Sequence, residues 1–264
     1  MKFVYDHDLH IHSQLSTCSA DKEQTPQRIL RYAEENGLKT ICLTDHFWDS
    51  SVPGVSDWYR PQDFAHVSSS KPLPTSEGIR FMFGCETELD RFLTLGISKE
   101  SLDLFDFIII PTTHMHSDFA MTEEDAASVD GRVRAWIRRL DAVLNMDLPF
   151  RKIGIAHLAC FLIAPTKEEY HEVLRRLPEE ELRRLFTKAA KLGVGIELNS
   201  YDMNFEEEDA AVILRPFAIA KECGCKFYCG SDSHHPATFD IVRRVMERAV
   251  DMLGLEESDK FILA

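Results

Sequence analysis

The sequence predicts an α/β fold, a single domain over residues 1–264 built as a barrel of parallel strands, and three observations lead there. At 264 residues the chain has the ordinary length of one large α/β barrel. Seven short apolar segments recur along it, each ending in polar, ligand-capable residues, and helical sequence separates most of them. Its 44% hydrophobic content is enough for a buried core.

The first segment, FVYDHDLHIH, is rich in aromatic and β-branched residues and reads as a strand. Side chains alternate along a strand, so His10 and His12 share one face, where two imidazoles can share a cation. A helix follows, with Thr25 as N-cap, Pro26 at its first position and Asn36-Gly37 as its stop. TICLTDH is the second strand. After it, residues Phe47 to Arg80 form the main irregular stretch, rich in Ser, Pro and aromatic residues, which either lines or covers a pocket or packs as a surface loop. RFMFGCETE is the third strand and FDFIIIPTTH the fourth, where Ile108, Ile109 and Ile110 suit burial on both faces. Residues 122 to 145 read as helix and KIGIAH as the fifth strand. Helices over 167 to 177 and 179 to 192 follow, the first opened by Thr166 with Glu169 and the second stopped by Gly193. GVGIELN, a helix over 206 to 222, CKFYCGSDSH and a helix over 238 to 253 complete the pattern.

With 44 acidic against 30 basic residues, the net charge of -14 argues against partnership with long nucleic acid or an anionic membrane surface. No run reaches the roughly 18 apolar residues of a membrane span. Seven cysteines without a CxxC pair argue against a disulfide framework, and the expected setting is the reducing cytoplasm. Cys223, Cys225 and Cys229 straddle a helix end and a strand and read as small buried residues.

In a parallel barrel the carboxyl ends of the strands gather at one mouth. Six of the eleven histidines fall at such ends: His10, His12, His46, His114, His157 and His234. Glu86 and Asp232 join them. Imidazole with carboxylate suits zinc, manganese or iron, and one carboxylate can bridge two cations. Glu86 ends the third strand and is placed for that, with Glu88 a rival on the same face. A multinuclear site acidifies water and clamps phosphoryl oxygens, so hydrolysis there needs no serine or cysteine nucleophile. Neither GxGxxG nor GxxxxGK[ST] occurs, which removes the usual arguments for a nicotinamide enzyme or an NTPase.

Taken in order, DLHIHS, TDH, GCETE, PTTH, IAH and GSDSH resemble the motifs of the polymerase and histidinol phosphatase (PHP) superfamily of metal-dependent phosphoesterases, over residues 8 to 234. The resemblance implies a distorted (β/α)7 TIM-like barrel holding two or three divalent ions. His10, His12, Glu86 and Asp232 would hold one; Glu86 would bridge to a second, held also by His114 and His157; His46 and His234 would hold a third. Cys18 stands where many members carry a further histidine for the third ion, with Asp21 nearby as another possible ligand. His114 is preferred to His116 because it lies closer to its strand; His116 is a candidate substrate contact, as are Arg60, Arg91 and Arg215. Asp8 and Asp45 sit beside ligands and could orient imidazoles. The implied activity is hydrolysis of a small phosphate monoester, histidinol phosphate first among them, with Glu86, Asp232 and His234 as the catalytic set. The alternative is a phosphodiesterase or exonuclease acting on nucleotides or short oligonucleotides. An amidohydrolase-type barrel also opens with HxH, but it has eight strands and a bridging lysine on the fourth, which FDFIIIPTTH lacks.

Overall fold

The computed structural model describes residues 1–19 and 21–263. Nine strand segments form its sheet: β1 (His7–Ile11), β2 (Thr40–Leu43), β3 (His46–Phe47), β4 (Arg80–Phe83), β5 (Cys85–Thr87), β6 (Ile108–Pro111), β7 (Ile153–Ala156), β8 (Gly195–Asn199) and β9 (Lys226–Gly230). All their pairings are parallel. Thr44 and Asp45 part β2 from β3, and Gly84 parts β4 from β5, so nine segments occupy seven positions, one for each apolar segment of the sequence. Gly84 N–H donates to Leu43 O at 2.8 Å and Glu86 N–H to Asp45 O at 3.1 Å, which carries the sheet across both breaks. The order β1-β2-β4 thus continues as β3-β5-β6-β7-β8-β9. The ring closes where Asp232 N–H donates to His10 O at 2.7 Å and His12 N–H to Ser233 O at 3.1 Å.

The inside of the barrel is apolar towards its amino end, where Cys42, Met82, Phe107, Ile109, Ala156 and Tyr228 pack together and Phe261 plugs the bottom. A Cβ on Gly195 would stand 2.9 Å from Tyr228, so the missing side chain makes room for the ring. Ile41, Leu43, Ile108, Ile110, Ile155, Ile196 and Leu198 face outward, into the layer shared with the helices. In β1, Asp8 lies opposite Ile41 and Ile11 opposite Leu43, three steps against two. This bulge turns Leu9 and His10 both inward, Leu9 to the apolar plug and His10 to the polar layer above it.

Among the described residues, ten α-helical segments surround the sheet: α1 (Pro26–Glu35), α2 (Phe64–Val67), α3 (Glu123–Ala126), α4 (Val129–Asn145), α5 (Lys167–Arg176), α6 (Glu179–Leu192), α7 (Ser200–Met203), α8 (Ala210–Ile213), α9 (Arg215–Glu222) and α10 (Phe239–Leu253). Thr25 caps α1 by accepting from Arg28 N–H, and Thr166 caps α5 through Glu169 N–H. Gly193, at φ 76°, ends α6 in the left-handed conformation. Two expected helices are divided. The one over 122 to 145 breaks because Ser128 is extended and its hydroxyl accepts from Gly131 N–H, starting a new helix at Val129. The one over 206 to 222 breaks near Pro216, which has no N–H for a continuing helix and sits instead in the first turn of α9. Among the described residues, no helix is long and apolar enough to cross a membrane.

Candidate metal centre

At the carboxyl ends of the strands, hydrogen bonds assign the protons of several imidazoles. His10 Nδ1 is 2.6 Å from Glu197 Oε1, and an ionised carboxylate only accepts, so Nδ1 carries the proton. His12 Nδ1 is 3.0 Å from Ser16 Oγ, whose own hydrogen goes to Asp45 Oδ1 at 2.8 Å; His12 Nδ1 is therefore the donor. His234 Nδ1 donates to the carbonyl of Asp232 at 2.7 Å, and His114 Nδ1 to Glu88 Oε2 at 2.9 Å. In its neutral form each ring then keeps its lone pair on Nε2. His10 Nε2 and His12 Nε2 nevertheless lie 3.0 Å apart. Two lone pairs at that distance repel unless a positive charge lies between them.

The acids around them make the same demand. Glu86 is buried, and neither carboxylate oxygen has a hydrogen-bond partner. Its Oε2 lies 3.0 Å from His46 Nδ1, 3.3 Å from His12 Nε2 and 3.5 Å from His10 Nε2, and its Oε1 3.7 Å from His157 Nε2. Asp232 Oδ1 is 3.1 Å from His12 Nε2 and its Oδ2 3.5 Å from His157 Nε2. Burial opposes charge on His10, but Glu197, Asp232 and Glu86 outweigh it and raise its pKa well above the ordinary imidazole value. Burial likewise works against ionising Glu86, yet His46 and His10 hold its carboxyl well below the usual range. A ring of lone pairs and orphaned carboxylate oxygens fits divalent cations, which displace protons from such ligands. Backbone strain marks the same place: His157 (φ 62°) and Asp232 (φ 53°) are left-handed, a conformation costing about 1–3 kcal/mol at a residue with a side chain.

Of the expected residues, the fold brings His10, His12, His46, Glu86, His114, His157, Asp232 and His234 to this one mouth. Ligand atoms of His12, Cys18, His46 and His234 lie within 4.8 Å of one another, which puts the Cys18 thiol beside the expected third position. A second group within 4.8 Å joins His114 and His157 to Cys160, a thiol not anticipated there. Asp21 turns away to His235, 2.7 Å distant. Glu86 and Glu88 divide the work: Glu86 faces the imidazoles, and Glu88 binds His114 on one oxygen and Arg139 on the other. Asp45 orients His12 through Ser16, whereas Asp8 accepts from the backbone N–H groups of Ser231 and His10 and from Tyr32 OH. Cys225 and Cys229 are buried and Cys223 half-buried, in no metal-ligating group among the described residues.

An open cavity of about 590 Å³ covers the cluster, and His116 stands in its wall. The three candidate arginines are not among the residues that line it. Arg60 pairs with Asp57 at 2.9 Å, Arg91 donates to Asp118 O at 3.1 Å, and Arg215 donates to Leu174 O at 3.2 Å.

The supporting shell escaped the sequence reading. Glu197 sits in a strand whose other side chains are buried, and an acid between Ile196 and Leu198 is a signal that was there to use. Arg139 shares the buried stripe of α4 with Trp136 and Val143, so its place on that stripe also marks it. Asp202, whose Oδ1 lies 3.7 Å from His157 Nδ1, follows the end of β8 and has no comparable local signal.

No curated protein sequence matches the chain. Solved structures that share its fold include two histidinol phosphatase-type proteins. The crystal structure of histidinol phosphate phosphatase (HISK) from Lactococcus lactis, complexed with zinc, L-histidinol and phosphate, aligns with a TM-score of 0.60 at 19% identity, covering 92% of this chain and 93% of that one. HisK from Listeria monocytogenes, a candidate histidinol phosphatase, aligns with a TM-score of 0.59 at 15% identity, covering 88% and 96%. Both likenesses support the barrel. The PHP domain itself matches residues 8–201, from the bulged first strand to the residues just after β8, and on that match the chain belongs to the PHP domain family of metal-dependent phosphoesterases.

Proposed function

We propose that this PHP-domain phosphoesterase removes phosphate from a small phosphate monoester, using two or three divalent ions of zinc, manganese or iron. The observation that carries the reading is the pair of buried, unpartnered Glu86 oxygens among His10, His12, His46 and His157, at the floor of an open cavity. Bound there, divalent cations supply an acidified water and neutralise the charge that develops on phosphorus oxygens. His10, His12, Glu86 and Asp232 are the proposed holders of one ion, Glu86 with His114 and His157 of a second, and His46, His234 and Cys18 of a third.

The chain's own groups do the rest. Glu197, Ser16 and Glu88 hold Nδ1 protons and so keep three Nε2 lone pairs aimed inward. Asp232 and His234 line the cavity, where the Asp232 carboxylate can take a proton from the attacking water and hand it to the leaving oxygen while His234 stands beside it. Histidinol phosphate is the first substrate to test, since the Lactococcus lactis relative holds L-histidinol and phosphate.

The test is phosphate release after reconstitution with each metal, from histidinol phosphate, nucleoside monophosphates and short oligonucleotides, with Glu86→Ala as control. Metal-dependent release from a monoester, reduced at least ~100-fold in the variant, is expected. Release only from oligonucleotides would move the activity to the diesterase side. No metal-dependent release from any of them would remove the proposal.

A further inference from the structure

The cavity is roomier than a single phosphoryl group needs, and its walls differ in kind from its floor. Trp58, Tyr59 and Phe119 make one wall, with ring centroids 4.6 Å apart between Trp58 and Tyr59 and 5.6 Å between Tyr59 and Phe119. Trp58 also stands edge-on to His46 at 4.9 Å, so this wall begins at the cluster. Phe161, Leu162 and Tyr201 line the cavity as well. They follow β7 and β8, whereas Trp58 and Tyr59 follow β3; β5 and β6 stand between in the barrel order, so the two groups occupy different sides of the mouth.

Three of these rings are open to solvent: Phe161 is 62% exposed, Tyr201 44% and Trp58 40%. Scattered apolar side chains on a surface need no explanation, but three aromatic rings around one cavity form an apolar rim suited to a ligand. Among the described residues, no lysine or arginine lines the cavity. Its carboxylates, Glu86, Glu88 and Asp232, belong to the floor, and Glu88 is taken by His114 and Arg139. The floor can therefore hold one phosphoryl group, while the walls offer no cation to a second phosphate and no free carboxylate to an amine.

Resting on the phosphoesterase reading, we infer that the site selects monoesters whose leaving group carries a flat ring, held between Trp58 and Tyr59 on one side and Phe161 and Tyr201 on the other. The ring supplies the recognition, and an amine adds nothing to it. A planar ring gains stacking that a puckered ring of equal size lacks, which corresponds to roughly tenfold in binding.

The experiment compares kcat/KM of the metal-reconstituted protein for benzyl phosphate, cyclohexylmethyl phosphate, glycerol 3-phosphate and histidinol phosphate. All four expel an alkoxide, so differences report recognition rather than leaving-group chemistry. Benzyl phosphate is expected to exceed cyclohexylmethyl and glycerol phosphates by roughly tenfold, mainly in KM, and to match or exceed histidinol phosphate. Phe161→Ala and Trp58→Ala should collapse that preference and weaken calorimetric binding of benzylphosphonate. Phe92→Ala, which removes an exposed ring away from the cavity, should preserve both. Equal use of benzyl and cyclohexylmethyl phosphates, or an unchanged preference in both cavity variants, would overturn ring selection and leave the phosphoesterase reading standing. A tenfold preference for histidinol phosphate over benzyl phosphate would overturn the claim about the amine. Failure of all four substrates would instead remove the small-monoester reading, and this inference with it.

Discussion

Glu197 Oε1 lies 2.6 Å from Nδ1 of His10, and both side chains are fully buried. The contact joins β8 to the bulge of β1 across the barrel interior, fixes the tautomer of His10 and makes its Nε2 a stronger base. The packing is tight on every side: a side chain on Gly230 would collide with Glu197 and with His10 Cβ. The proposed metal layer is therefore built upon a buried carboxylate that does not itself line the cavity.

Glu197→Gln keeps the shape of that side chain and removes its charge. Metal affinity, measured by competition with a chromophoric chelator, is expected to fall about 10- to 100-fold with far-ultraviolet dichroism unchanged. Unaltered affinity in a folded variant would mean that the contact serves packing alone.

Cys18 lies close enough to His12, His46 and His234 for its thiolate to share an ion with them. Replacing the bound metal with cobalt(II) makes this visible, because a thiolate ligand gives a charge-transfer band in the near ultraviolet. The band is expected in the cobalt protein, lost in Cys18→Ser and kept in Cys160→Ser. If it disappears only in Cys160→Ser, the thiol ligand belongs to the group of His114 and His157 instead.

The strand ends were legible because each apolar run stops at a polar residue, and a parallel barrel gathers such ends; TDH, IAH and GSDSH needed no partner to be seen. The bulge was not legible. Strict alternation puts Leu9 opposite His10, whereas the extra residue turns both inward. Contacts between distant segments were equally hidden, as with Glu197 and His10, which lie 187 residues apart. Arg60 was open in the same way: a sequence does not say which partner a surface guanidinium takes, and in the fold its neighbour is Asp57, 2.9 Å away.

Arg139 is the most heavily engaged buried cation. Its guanidinium donates to the carbonyls of Thr112, Asp90, Ala120 and Leu89 and to Glu88 Oε1, and it is 1% exposed. Arg139→Met should strand Glu88 and four carbonyls and lower stability by about 3–5 kcal/mol, read from urea unfolding. Arg139→Lys retains the charge but not the planar fork, so it should fold with an intermediate loss. A loss below about 1 kcal/mol in both variants would show that water replaces these bonds.

Asp49 ties the loop that carries Trp58 to the segment after β5. Its N–H donates to Gly96 O at 2.7 Å; its carboxylate accepts from Ser98 Oγ at 2.6 Å, Ser101 Oγ at 2.5 Å and Ser51 N–H at 2.9 Å. Burial alone would raise its pKa, but the hydroxyls of Ser101 and Ser98 and the Ser51 N–H overcome it and lower the pKa below the usual carboxylate range. A depressed carboxyl binds fewer protons folded than unfolded, so its stabilisation is complete above the unfolded pKa of about 3.9 and fades as pH falls through the folded value. Asp49→Asn should therefore cost about 1–2 kcal/mol at pH 7, and the gap to the parent should narrow as pH drops below about 4. Urea midpoints at matched pH values test this, since the other titrating groups are common to both proteins. A gap that stays constant down to pH ~3 would assign the effect to lost hydrogen-bond geometry rather than to the ionised carboxylate.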